Sequence, residues 1–86
     1  MSYEVFVHPQ VIKFLKKLPK HDVKRIREKI SELTEPRFVR SIKIKGKEDV
    51  FRVRVGDYRI LYKIDDSKKI VIVFKVDKRE RVYDRL

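Results

Sequence analysis

VFRVRVGDYRILYKI, residues 50–64, alternates apolar and charged side chains on both sides of a single glycine, and this pattern decides the fold. Alternation with period two reads as strand, and glycine at the first central position favours a two-residue hairpin loop at Gly56–Asp57. Counting outward pairs Val55 with Tyr58, Arg54 with Arg59, Val53 with Ile60, Arg52 with Leu61 and Phe51 with Tyr62. Successive side chains point to opposite faces, so Phe51, Val53, Val55, Tyr58, Ile60 and Tyr62 share the face that packs against the rest of the protein. Arg52, Arg54 and Arg59 share the other. Directly opposed like charges destabilise a sheet by roughly 0.2–1 kcal/mol per pair, so arginine facing arginine points to an anion. The competing reading is a tolerated surface cluster neutralised by Asp57 or Glu80.

Working outward, IVIVFKV (residues 70–76) is apolar almost throughout, which suits a central strand buried on both faces. Running back antiparallel to YRILYKI, it ends beside Tyr58 and the 56–57 turn, with DKRERVY following. Lys78, Arg79 or Arg81, and Tyr83 therefore arrive at the end of the sheet that carries Arg54 and Arg59. A one-residue shift at the DDSKK loop exchanges Arg79 for Arg81 without moving the segment. RSIKIKG, from Arg40, gives a further short strand.

Upstream, SYEVFVH (residues 2–8) alternates as a strand, and Pro9 can open a helix. Val11 or Ile12, Leu15 and Leu18 fall at helical spacing, with Pro19 ending the segment. A second helix is expected from about Asp22 to Thr34, with Asp22 as its cap and Val23, Ile26, Ile30 and Leu33 facing inward. Its opposite face, with Lys24, Arg25, Glu28, Lys29 and Glu32, reads as solvated and supported by pairs such as Glu28 with Lys24 or Lys29. An early strand, two helices and an antiparallel β-meander make a compact α+β domain, a single unit over residues 1–86.

At 86 residues there is no room for a separate cofactor-binding domain, and chemistry must use a shallow surface site. The 24 Lys plus Arg against 13 Asp plus Glu, net +11, suit a polyanionic partner. No apolar run approaches the roughly 20 residues of a membrane span, and MSYEVFVHPQ lacks the pattern of a signal peptide, so a cytoplasmic location without membrane association is expected. The absence of cysteine excludes disulfides, thiolate catalysis and cysteine-containing zinc sites. His8 and His21 lack partners at ligand spacing and read as structural. The 43% charged content resembles that of hyperthermophile proteins, which concerns habitat rather than activity.

Guanidinium groups stay protonated and fork two donors onto phosphate oxygens, and a phenol can stack on a base or transfer a proton. Unpaired RNA is recognised through such contacts. No carboxylate cluster accompanies the basic residues as a magnesium nuclease requires, since Asp65–Asp66 lies at the far end of the hairpin. Metal-free attack of a 2′-hydroxyl on the neighbouring phosphate, with no cofactor, is the chemistry left open.

At KGKEDVFRVRVGDYRILYKID followed by VIVFKVDKRERVY, the sequence resembles the RelE family of toxins of type II toxin–antitoxin systems, within the RelE/ParE superfamily. The resemblance covers essentially the whole chain and is most specific at RVGDYRILY and VDKRERVY. It implies a RelE-like microbial RNase fold and an endoribonuclease that cuts messenger RNA in the ribosomal decoding site, with a RelB-like antitoxin as partner and room for a heterotetramer with it. The matching residues are Arg52 and Arg54, where the family's paradigm has lysines, then Arg59, Arg79 and Tyr83, which match in type. The resemblance makes Arg59 and Arg79 the phosphate-binding pair. On that resemblance Arg52 and Arg54 would position the RNA backbone or ribosomal RNA, with Arg54 within reach of the phosphate, Lys78 and Arg81 would hold RNA, and Tyr83 would stack on a base or move a proton.

Two departures stand out. Arginine at 52 and 54 removes a lysine general base, because arginine does not deprotonate in proteins. Asp77 stands where VGKRE-like sequences often have glycine, and could orient Arg79 or reduce the local positive field. Two other functions compete: a ParE-like inhibitor of DNA gyrase, and a catalytically silent basic module that binds RNA or protein. The Arg59, Arg79 and Tyr83 constellation favours RNA cleavage.

Overall fold

A computed structural model describes residues 2–78. Chain order is β1 (Glu4–Val7), α1 (Pro9–Leu15), α2 (Lys20–Glu32), a short 3-10 helix (Pro36–Phe38), β2 (Ile42–Lys43), β3 (Val50–Val55), β4 (Tyr58–Asp65) and β5 (Ile70–Lys78). The five strands form one mixed sheet in the order β1-β5-β4-β3-β2. β2 to β5 make the expected antiparallel meander, and β1 joins the far edge parallel to β5. The architecture is α+β, with both helices on one face of the sheet.

The hairpin register is the one counted from the sequence, from Val55 opposite Tyr58 to Phe51 opposite Tyr62. Gly56 has φ +57 and Asp57 does not share the positive φ, the signature of a turn with glycine at its first central position. Inward-facing Val53, Val55, Tyr58, Ile60 and Tyr62 are buried with Val71, Val73 and Val76 of β5, Val11 of α1, and Ile26 and Ile30 of α2. Ile26, Ile60, Tyr62, Val71 and Val73 are fully shielded from solvent, and burying each aliphatic side chain is worth about 1.5–3 kcal/mol.

Helix limits differ from expectation for identifiable reasons. Helix α1 stops at Leu15, before Pro19, and Lys16 to Leu18 turn with N–H groups returning to Ile12, Phe14 and Leu15. Helix α2 begins at Lys20 with Pro19 as N-cap, because proline already supplies the extended backbone a cap needs. Asp22, expected as the cap, lies in the first turn and instead accepts a hydrogen bond from the Tyr58 hydroxyl at 2.9 Å. The helix ends at Glu32 rather than Thr34, and its surface pair is Lys29 with Glu32 at 3.1 Å rather than Glu28 with a lysine.

Strand β5 departs further. It lies inside the sheet, but β4 is the middle strand, and only one face of β5 is buried: Val71, Val73 and Val76, with Ile70, Ile72 and Phe74 half-exposed. The register slips by one residue at Phe74, so Tyr62 faces Val73 whereas Leu61 faces Lys75. Strict alternation from Val71 and Val73 would send Lys75 into the core and Val76 out of it. The bulge reverses that parity and keeps the charge in water. Gln10 of α1 secures it, its side-chain amide donating to the Phe74 carbonyl.

Candidate functional site

The sheet face away from the helices carries the cations. Arg54 faces Arg59 across the β3–β4 hairpin, and Arg59 faces Asp77 across β4–β5, so three strands contribute one row. A second row runs Ile42, Arg52, Leu61, Lys75. Among the described residues no helix covers this face: Arg54 is exposed, Arg52 and Arg59 are partly so, and Ile42 is 56% exposed.

Asp77 answers the sequence-level question of how two opposed arginines are tolerated. Its Oδ2 lies 3.6 Å from Arg59 Nη2 and 3.8 Å from Lys75 Nζ, so Arg59 is balanced by a carboxylate on the flank opposite Arg54. Asp57 or Glu80 was the expected counter-ion; Glu80 lies outside the described residues, and the Phe74 bulge is why Asp77 stands beside Arg59. Without the slip Val76 would face Arg59 and Asp77 would face Tyr58 on the helix side. The lysine at 75 in an otherwise apolar run was the available signal.

The structure brings Arg54 and Arg59 together and sets Arg52 in the adjoining row. Lys78 ends β5 opposite Tyr58, so by register it belongs to the helix-facing side of the sheet rather than the arginine face. Arg79, Arg81 and Tyr83 lie outside the described residues. A cation assigned to the solvated face of α2 also reaches this end: the Arg25 guanidinium lies about 3.1 Å from where a Cβ on Gly56 would sit.

Among the described residues no histidine lies on this face, and its carboxylate, Asp77, stands against Arg59 and Lys75. His8 caps α1 through Nδ1, accepting from the Gln10 N–H at 3.1 Å, and His21 contacts Asp22 at 3.1 Å on the helix side. Burial, with the hydrogen bond to Asp22, pushes the Tyr58 phenol up and keeps it neutral, and burial does the same for Tyr62. Among the described residues there is no cluster of three or more His, Cys, Asp or Glu that could hold a metal, and no helix long and apolar enough to cross a membrane. The arrangement can grip an anion with charge-assisted hydrogen bonds on an accessible sheet surface.

A small mixed sheet backed by two helices, with an arginine row on its open face, defines a compact basic domain shaped to meet an anionic partner. The family model described as the ParE toxin of the type II toxin–antitoxin system parDE matches residues 5–83. The protein named RelE1 of Methanocaldococcus jannaschii is 36% identical over 96% of this chain and 97% of its own length. The mRNA interferase toxin RelE of Escherichia coli is 28% identical over 94% of this chain and 87% of its own length. A chain of the archaeal RelE–RelB complex crystallised from Pyrococcus horikoshii OT3 superposes with TM-score 0.79 at 34% identity, covering 94% of this chain and 99% of that one. The chain belongs to the RelE family of toxin–antitoxin toxins, within the RelE/ParE superfamily.

Proposed function

We propose that this chain, as a single toxin domain over residues 1–86, is a ribosome-dependent endoribonuclease that cleaves messenger RNA in the decoding site and thereby stops translation in the cytoplasm. The observation that carries the reading is the direct opposition of Arg54 and Arg59 on the uncovered sheet face, which brings two permanent cations to one place. Arg59, with Arg79, binds the scissile phosphate and stabilises the charge that develops on it. Arg54 reaches the same phosphate, while Arg52 and Arg81 hold the RNA backbone; Lys78, which the register puts on the helix-facing side, takes no part. The 2′-hydroxyl of the preceding nucleotide attacks phosphorus and gives up its proton to solvent, the P–O5′ bond breaks, and the 5′-oxygen takes up a proton from solvent as it leaves, giving a 2′,3′-cyclic end and a 5′-hydroxyl without a metal. Tyr83 stacks on a base or takes part in proton transfer.

The RelE–RelB complex among the relatives supports a RelB-like antitoxin as the partner here. A groove of about 480 Å³ between β1, α1 and α2, lined by Val5, Val7, Ile12, Leu15 and Val23 with Arg27 at its rim, suits an amphipathic, acidic antitoxin segment. A heterotetramer of two toxins and two antitoxins is compatible with such a surface.

Primer extension on a defined mRNA, in ribosomes with an empty decoding site, tests the reading. New ends at the decoding codon, absent without ribosomes and insensitive to EDTA, are expected. A second reading is favoured by the name of the matching family model: a ParE-like gyrase inhibitor. It predicts loss of supercoiling by gyrase while ribosomal mRNA stays intact.

A further inference from the structure

Arg59 sits between a like charge and an opposite one, Arg54 on β3 and Asp77 on β5. Its contact with the carboxylate is open. Nη2 to Oδ2 is 3.6 Å, and Lys75 Nζ stands 3.8 Å from the same oxygen, both longer than a hydrogen bond. Arg59 Nε and Asp77 Oδ1 are buried and have no hydrogen-bond partner among the described residues. A closed fork between guanidinium and carboxylate would satisfy both atoms at once. The side chains of Arg59 and Asp77 are only 19% and 22% exposed, whereas that of Lys75 is 54% exposed and free to follow the carboxylate.

We propose that Asp77 is a positioning residue for Arg59: a resident counter-ion that draws the guanidinium away from Arg54 in the free protein and yields it to a phosphodiester oxygen when RNA binds. Lys75 then keeps the carboxylate. This rests on the reading of the arginine row as a phosphate site and adds how the site is kept assembled while empty. Without Asp77, Arg54 and Arg59 repel across the hairpin and nothing fixes the direction of Arg59. With a closed fork, Arg59 would be spent on the carboxylate. An open pair shared with an exposed lysine holds the arginine loosely, and the exchange strands no lone carboxylate between strands. The consequence is weaker RNA binding than the cations alone would give, because the carboxylate opposes the incoming phosphate.

The test uses the full chain and a short 2′-O-methyl oligoribonucleotide, which binds but lacks the attacking hydroxyl. Fluorescence anisotropy at several salt concentrations is combined with the Arg59 Nε–H resonance, assigned by its loss in Arg59→Lys. Asp77→Asn should bind roughly three- to tenfold tighter, with a log–log salt slope that differs from the wild type by less than about 0.7, the value of one cation–phosphate contact on a single strand, because Arg59 reaches the phosphate in both proteins. Asp77→Glu, which keeps the charge, should stay within about twofold of the wild type. The resonance should move when oligonucleotide binds the wild type and should begin nearer its bound position in Asp77→Asn. Thermal melting confirms that each variant is folded. Binding that depends on Arg59 but is the same in Asp77→Asn, with the resonance unmoved, overturns the proposal alone. Absence of binding by every folded protein overturns the phosphate-site reading and the proposal with it.

Discussion

Gly56 shows how much one residue carries. Its φ of +57 lets the chain reverse in two residues, which fixes the register that sets Arg54 against Arg59. The Arg25 guanidinium closes over the turn, leaving about 3.1 Å for an added Cβ. Gly56→Ala therefore meets two penalties, the positive φ and the displacement of Arg25. Urea unfolding should show a loss of about 1–2 kcal/mol, mostly from the backbone because Arg25 is a flexible side chain. The site residues separate chemistry from diffuse charge at the same scale. Arg79→Ala should lower ribosome-dependent cleavage by roughly ten- to a thousandfold, the range for losing one donor to developing charge. Lys24→Ala, which removes an equal charge from α2, should leave the rate of the chemical step unchanged in single-turnover assays. Equal losses in both would replace the site with a general electrostatic effect.

Strand β5 marks where the sequence stopped being legible. The hairpin could be counted because a two-residue loop leaves no freedom in register, and the inward set Val53, Val55, Tyr58, Ile60 and Tyr62 followed from it. Strand β5 could not be counted the same way, because a bulge adds a residue without any local signature as strong as a glycine. Only Lys75, which strict alternation would have buried, betrayed it, and the bulge is what turns Asp77 towards Arg59. The cap of α2 was misplaced for a related reason: Asp22 has the right chemistry for a cap, but Tyr58 uses it as an acceptor and Pro19 sets the helix start. Two predictions belong here. Gln10→Ala removes the donor to the Phe74 carbonyl and should cost about 1 kcal/mol in urea unfolding, with faster amide exchange confined to the bulge. Tyr58→Phe removes the link between β4 and α2. The Tyr58 pKa is raised in the folded state, so its contribution is present below the unfolded value near 10.0 and lost as pH rises through the folded value. The variant should be less stable than the wild type at neutral pH by about 1 kcal/mol and should lose less stability than the wild type on going to strongly alkaline solution.

Across the whole molecule, a net charge of +11 on 86 residues exceeds what one phosphate site requires. Such a field acts before contact: it raises the rate at which an acidic partner arrives, and salt screens it over a Debye length of about 10 Å at 0.1 M. The β1–α1–α2 groove is chiefly apolar, so contacts made after arrival depend mainly on burial and respond weakly to salt. The two stages should separate in stopped-flow measurements of toxin with its antitoxin. The association rate should fall by roughly tenfold or more between about 50 mM and 500 mM salt, while the dissociation rate changes by no more than about twofold. Toxin saturated with antitoxin should cleave no ribosomal mRNA at either salt concentration. A tight complex that keeps full cleavage would separate binding from neutralisation, and a dissociation rate that climbs steeply with salt would move the holding contacts from the apolar groove to the cationic face.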